Sequence, residues 1–117
     1  MKLPINQLVA TQYVTNAAAT VYTSPFTVGT NGIVVITGWI LANTDTAART
    51  LTLYNVPSGG AAAGSNTIMP GVSIPANTSW FQNKPDGMII LPAAGFLQAL
   101  ADVTNKITIT LYGREIS

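Results

Sequence analysis

The chain of 117 residues contains neither cysteine nor histidine. Without cysteine there is no disulfide framework and no thiol chemistry. Without histidine the chain lacks the commonest general base, the commonest metal-binding side chain and the usual pH switch. These two absences argue against most enzyme mechanisms and most transition-metal sites before any motif is considered.

Charge is also scarce, since charged residues make up 8% of the sequence, compared with about 25% of an ordinary soluble domain. The formal net charge is +1, and so few cations, spread along the chain, offer no basic patch for nucleic acid. The charged residues lie in turns and at the ends of apolar segments, including Arg114 and Glu115 at the end of the chain. Natural edge strands usually carry lysine or inward-pointing charge that blocks further pairing. The shortage of charge therefore predicts edges and faces that are covered in an assembly.

No segment has the length of a membrane span. The longest apolar run, from Ile33 to Ala42, has about 10 residues, whereas a spanning helix needs about 20. Thr37 and Gly38 also interrupt this run. The sequence therefore predicts a protein that does not enter a membrane.

Short stretches rich in β-branched and aromatic residues alternate with turn signals, which is typical of an all-β protein. We predict one domain over residues 1–117, an antiparallel β-sandwich of about eight strands. Short hairpins with several longer connections favour a jelly-roll arrangement, because the competing immunoglobulin-like sandwich lacks its Cys…Trp…Cys spacing here. Residues 1–12 are either the first strand or an extended arm that reaches a neighbouring molecule.

The most apolar segment is GIVVITGWILAN, from Gly32 to Asn43. Strict alternation places its large residues on two faces: Ile33, Val35 and Trp39 on one, Val34, Ile36 and Ile40 on the other. A strand that is apolar on both faces is predicted to be covered on both. PAAGFLQALA, from Pro92 to Ala101, could be helical, but a strand after a turn at residues 93–95 fits its neighbours better.

No catalytic constellation is recognisable. None of the serines lies in a Gly-x-Ser-x-Gly context, and the four acidic residues are scattered among different turns. Asn43, Asp45 and Thr46 present oxygens at short spacing, as a calcium site needs. The favoured interpretation is turn chemistry, because Asn and Asp side chains commonly bond the nearby backbone. We expect no enzyme activity, no metal site and no cofactor.

The aromatic residues allow two interpretations. Trp39, Tyr54, Trp80, Phe81 and Tyr112 could form a platform for a sugar ring, or they could divide between the core and contacts with other molecules. Trp80 and Phe81 are adjacent, so on a strand one points into the core and the other outward. The second interpretation is favoured. The candidate interface residues are Arg49, Tyr54, Trp80, Phe81, Tyr112 and Arg114.

The order of these segments resembles small virion proteins of tailed bacteriophages. The resemblance covers the chain from Thr20 to Ile116. It rests on TVYTSP, GIVVITGWILANTDTAARTLTLY, SIPANTSW, GMIILPAAGFLQALA and the terminal LYGREI. These are ordered β-strand signatures and contain no catalytic residue.

The resemblance implies a jelly-roll virion subunit, assembled in the host cytoplasm, commonly as a homotrimer and without a cofactor. Such proteins serve as capsid decoration (cement) proteins, as neck or tail accessories, or as parts of fibres. We expect a decoration protein that stabilises the shell, with the major capsid protein or other virion proteins as partners. The alternatives are a neck or tail accessory and a receptor- or glycan-binding module of a tail.

Overall fold

A computed structural model describes residues 6–84 and 87–116 of the chain. This part of the chain contains nine β-strands and one 3-10 turn at Gly64–Asn66. The strands are β1 (Asn6–Tyr13), β2 (Ala19–Thr23), β3 (Ile33–Asn43), β4 (Arg49–Val56), β5 (Thr67–Ile74), β6 (Ser79–Asn83), β7 (Ile89–Leu91), β8 (Phe96–Ala101) and β9 (Ile107–Ile116). Within the described ranges, no helix is long and apolar enough to cross a bilayer.

The strands form two antiparallel sheets. In sheet A the order is β1-β9-β3-β6, with β7 also paired to β3, and in sheet B the order is β2-β8-β4-β5. The pairs are nested along the chain: β4 with β5, β3 with β6 and β7, β2 with β8, and β1 with β9. A long hairpin wound across two sheets produces this order, which is that of a jelly roll. The predicted all-β sandwich is therefore confirmed.

Aliphatic side chains from both sheets fill the space between them. The largest fully buried ones include Ile36 and Leu41 on β3, Leu51 and Leu53 on β4, Leu97 on β8, and Ile107, Ile109 and Leu111 on β9. Full burial of one such side chain is worth about 1.5–3 kcal/mol. The alternating threonines of β4 and β9 point away from this core, as the period of two predicts.

A β-bulge interrupts the central strand β3. Ile36 pairs with Gly113 of β9, and Gly38 pairs with the next residue back, Tyr112, so Thr37 has no counterpart on β9. An extra residue of this kind shifts the alternation of the strand that carries it. The division of this strand into two faces that we predicted from the sequence is therefore wrong beyond Thr37.

The consequence of the bulge is that four apolar residues of β3 join the core: Val34, Ile36, Trp39 and Leu41. Val35 and Ile40 lie on the outer face of sheet A. Val35 is buried there, but Ile40 is 38% exposed. The prediction that both faces of this strand are covered is thus wrong at Ile40.

The break between β6 and β7 lies beside the same part of β3, and it raises the number of strands from the predicted eight to nine. The carbonyl oxygen of Thr37 accepts a hydrogen bond from the Lys84 amide at 2.7 Å, and that of Ile36 accepts one from the Met88 amide at 2.7 Å. The chain opposite β3 therefore leaves the ladder after β6 and returns to it as β7. One strand position of the jelly roll is occupied by two short strands.

Three smaller predictions concern the ends and turns. Residues 6–12, within the segment considered as an arm, belong to β1 and pair with β9, while residues 1–5 lie outside the described part. The Pro92–Ala101 segment contains strand β8 rather than a helix, as predicted. The sequence NKPDG, from Asn83 to Gly87, predicts a turn with glycine in the positive-φ position. Gly87 has a φ of 116°, while Pro85 and Asp86 lie outside the described residues.

Candidate functional site

The connection between β3 and β4 forms a dense polar cluster around Asn43. Its side chain is 2% exposed, and its Nδ2 donates hydrogen bonds to the carbonyl oxygens of Ala47 and Ile74, both at 2.9 Å. Its Oδ1 accepts a hydrogen bond from the Asp45 amide two residues on, at 2.9 Å. This is the local turn chemistry predicted for Asn43 and Asp45. The cluster ties the β3–β4 loop to the end of β5.

An ion pair between Arg49 and Asp45 lies beside this cluster. The cluster and the ion pair together form the polar end of the sandwich. Arg49 Nε donates to Asp45 Oδ2 at 2.7 Å, and Arg49 Nη1 lies 3.7 Å from Asp102 Oδ2. The hydrogen bond from Arg49, followed by that from the Thr46 amide, holds the pKa of the Asp45 carboxyl below its usual value. Both oxygens of Asp45 are thereby occupied by partners within the chain. Across residues 6–84 and 87–116, no three acidic side chains gather as a metal site would require.

A second polar contact joins the two sheets at the opposite end of the sandwich. The hydroxyl of Tyr22 on β2 donates to Glu115 Oε2 on β9 at 2.5 Å. Burial, together with the hydrogen bond to Glu115, raises the pKa of Tyr22. This contact could not be predicted from the sequence, because the two residues are 93 positions apart.

The two lateral sides of the sandwich are open. β1 and β2 are the last strands of their sheets on one side, and β5 and β6 are the last strands on the other. The sequences of these strands, NQLVATQY, ATVYT, TIMPGVSI and SWFQN, contain no charged residue. Another strand can therefore pair with their outward backbone groups, because no charged side chain on these strands would have to be buried or would repel it.

The outer face of sheet A carries most of the exposed large apolar side chains. Phe81 is 70% exposed and lies opposite Ile40, and Ile90 is 58% exposed and lies opposite Val35. Tyr13 lies on the same face at the end of β1. Exposed apolar side chains that cluster on one face mark a surface that contacts another molecule.

A depression of about 430 Å³ lies on this face, where Gly38 leaves the row between Asn83 and Tyr112 without a side chain. A Cβ at residue 38 would lie 2.6 Å from the carbonyl oxygen of Gln82 and 3.5 Å from Asn83 Oδ1. Only glycine fits this close approach of β6. Ile40, Phe81 and Gln82 also line it.

Thr37 lines the same depression. Its side chain is fully buried, and its Oγ1 has no hydrogen-bond partner among the described residues. Buried polar atoms in native proteins are nearly always paired, so an orphaned hydroxyl calls for an explanation. The Nε1 of Trp39, the residue after Gly38, is also buried and has no hydrogen-bond partner among the described residues.

The structure separates the six residues predicted as an interface. Phe81, Tyr112 and Arg114 belong to the outer face of sheet A, whereas Tyr54 lies on sheet B and Arg49 lies in the polar end. Trp80 packs against the core while Phe81 points outward, as predicted for this adjacent pair. Arg114, on β9, is 7% exposed and pairs with Val35 of β3. The sequence predicted that Arg114 lies at the end of an apolar segment. It lies within strand β9 instead, and its side chain is buried.

The five aromatic residues considered as a sugar platform are likewise divided. Trp39 belongs to the core and Trp80 packs against it, and Tyr54 is on the other sheet. Only Phe81 and Tyr112 share a face. The platform expected from the sequence is therefore not formed, although two of its members flank the Gly38 depression.

Comparison with known proteins gives no match. No family model matches the chain, and no curated protein or solved structure is significantly similar to it. The resemblance to phage virion proteins thus stays a prediction.

Proposed function

We propose that this chain is a non-enzymatic structural protein of a bacteriophage virion, a decoration subunit that stabilises the capsid shell as an oligomer. Its partners are further copies of itself and the major capsid protein. A neck or tail accessory with the same mode of assembly is the alternative position on the particle. The observation that carries the proposal is the absence of charge from the edge strands β1, β2, β5 and β6, and from β7, which shares the edge of β6.

Edge strands without charge favour assembly over a free monomer. Soluble sandwich domains normally place lysine, proline or strong bulges at such edges to prevent pairing. Here the protections are Pro70 in β5 and the register shifts in the pairing of β1, β2 and β5, and none of them is a charge. An exposed apolar side chain also accompanies two of these edges: Tyr13 on β1 and Ile68 on β5.

The arrangement of the edges favours a ring. The side that carries β1 and β2 differs from the side that carries β5 and β6, so joining one to the other is a head-to-tail contact. Head-to-tail contacts close into a ring when the rotation between subunits allows it. A trimer is the smallest such ring. Many rings on one shell would multiply weak contacts with the capsid into firm retention.

Charge introduced at the edges tests this assembly. We expect the wild-type chain to sediment as a trimer at micromolar concentration. Ala10→Lys, in β1, and Ser73→Lys, in β5, place a charge on exposed edge positions and should each shift the chain towards the monomer. Ser58→Lys adds the same charge to the exposed loop after β4 and should leave the trimer intact.

Sedimentation velocity of the four proteins at matched concentrations provides the measurement, with circular dichroism to verify that each variant is folded. A wild-type chain that is strictly monomeric would contradict the proposal. So would a trimer that the two edge lysines leave unchanged. Density for the chain on the shell, in images of the intact particle, would then distinguish capsid decoration from a neck or tail position.

A further inference from the structure

We propose that the Gly38 depression on the outer face of sheet A is a binding site for a neutral saccharide. The site is made of an exposed aromatic ring, an amide, two hydroxyls and a glycine floor. This inference does not rest on the proposed assembly. Pairing through edge strands extends a sheet sideways and leaves its outer face open.

The shape and the apolar part of the site suit a sugar ring. Phe81 is 70% exposed on the row next to Gly38, so one face of its ring is available. The carbon-bound hydrogens of a pyranose form an apolar face that packs against an aromatic ring, much as other apolar groups do. A volume of about 430 Å³ is within the range of small-molecule pockets, roughly 300–1,000 Å³.

The polar groups of the site match the hydroxyls of a sugar. The amide of Asn83 both donates and accepts hydrogen bonds, as does the phenol of Tyr112. These two side chains flank Gly38 from opposite strands, β6 and β9. Neutral donors and acceptors on both sides of an aromatic ring can fix the orientation of a ligand whose surface is covered with hydroxyls.

The orphaned hydroxyl of Thr37 is the observation that points to a ligand. A buried Oγ1 without a partner costs stability, and valine at this position would avoid that cost at nearly the same size. Thr37 sits in the bulge that creates the depression and lines it. A ligand hydroxyl in the depression, after a small rotation of the threonine side chain, would supply the missing hydrogen bond.

The charge of the lining defines the class of saccharide. Every described residue that lines the depression is uncharged. A sialylated, sulfated or phosphorylated sugar would place its charge against a lining that contains no cation, which is costly. A neutral mono- or disaccharide unit therefore fits the site better than an acidic one.

Nuclear magnetic resonance titration of the full chain tests the site. The probes are maltose, lactose, cellobiose and diacetylchitobiose at millimolar concentrations, with sialyllactose as the acidic comparison. We expect one or more neutral sugars to shift the backbone amide signals of residues 37–40 and 82–83. The acidic sugar should bind less well than its neutral counterpart.

Two variants and a matched control make the test specific. Phe81→Ala removes the stacking ring and should weaken binding about tenfold, and Thr37→Val should weaken it about fivefold. Ile90→Ala truncates another exposed apolar side chain on the same face, outside the depression, and should leave binding unchanged. Sedimentation of each variant shows whether the oligomer is affected.

Each result of these experiments either supports the saccharide site or overturns it. Binding of a neutral sugar that both variants weaken, with the oligomer intact, supports the site whether or not the chain assembles as proposed. The absence of shifts with every sugar overturns it, as does binding that survives both substitutions. If Phe81→Ala and Thr37→Val instead dissociate the oligomer and no sugar binds, the depression is a contact between copies and the saccharide site is rejected.

Discussion

The polar end around Asn43 and the depression over Gly38 lie on the same central strand, β3. They differ in whether their buried polar side chains have hydrogen-bond partners within the chain. At Asn43 the side-chain amide and its neighbours bond one another across two loops. At Gly38 the neighbouring hydroxyl of Thr37 is buried with no partner among the described residues. Both regions interrupt an otherwise apolar strand, but only the first is complete within the chain.

This difference separates a structural role from a binding role. A residue such as Asp45 in a turn, with a nearby arginine, resembles a site in the sequence, yet its oxygens are occupied by Arg49 and Thr46. Gly38 carries no polar side chain and does not resemble a site in the sequence, yet on each side of it lies a buried polar atom without a partner among the described residues, Thr37 Oγ1 and Trp39 Nε1. Since buried polar groups are normally paired, the incomplete region is the better candidate for a ligand.

Asn43→Ala should produce the largest change in stability. It leaves the carbonyl oxygens of Ala47 and Ile74 without their donor, and we expect the free energy of unfolding to fall by about 2–4 kcal/mol. Urea denaturation measures the loss. Asn31→Ala, at an exposed position in the loop before β3, is the control and should change little. A loss at Asn43 no greater than that at Asn31 would mean that the polar cluster does not hold the loop.

Thr37→Val should have the opposite sign. Replacing an unpaired buried hydroxyl by a methyl group should raise the free energy of unfolding by about 1 kcal/mol. The matched control is Thr110→Val, because Thr110 is also buried but shares a hydrogen bond with Thr11, the two Oγ1 atoms being 2.7 Å apart. That substitution should lower the free energy of unfolding by about 1 kcal/mol. Destabilisation by both substitutions would show that Thr37 has a partner in solution.

Asp45→Asn should change the free energy of unfolding least, and this change should depend on pH. The pKa of Asp45 in the folded chain is lowered by Arg49 and by the Thr46 amide, so the carboxylate stabilises the fold above its unfolded pKa of about 3.9. This contribution is lost as the pH falls through the lower, folded-state pKa. The stability difference between wild type and Asp45→Asn should therefore be constant above about pH 5 and shrink below about pH 4. Parallel pH profiles for the two proteins would contradict the ion pair.

The sandwich itself could be predicted from the sequence because its main signals are local. Alternation in TLTLY and TITLY, and turn residues between short apolar stretches, were enough to give the strands and their class. The local part of the Asn43 turn was predictable for the same reason, since Asp45 and Ala47 lie within a few residues of it. Its hydrogen bond to Ile74, 31 positions away, was not. The opposite orientations of Trp80 and Phe81 followed from their adjacency alone.

The Gly38 depression could not be predicted, because it depends on registers between distant strands. The sequence did contain a signal, since glycine inside a strand often marks a bulge or a close approach of another backbone. It did not show that β6 passes within 2.6 Å of the position a Cβ would occupy. It also did not show that Asn83, Gly38 and Tyr112 form one row across three strands. The burial of Arg114 within β9 was missed for the same reason.

Amide hydrogen exchange at two protein concentrations tests most directly whether the uncharged edges are covered. At a concentration where the chain assembles, we predict slow exchange for the amides of β1, β2, β5 and β6 that point away from their own sheets. On dilution to the monomer these amides should exchange at least tenfold faster, while those of the central strands β3 and β9 should change much less. Edge amides that exchange equally fast at both concentrations would contradict assembly through the edges.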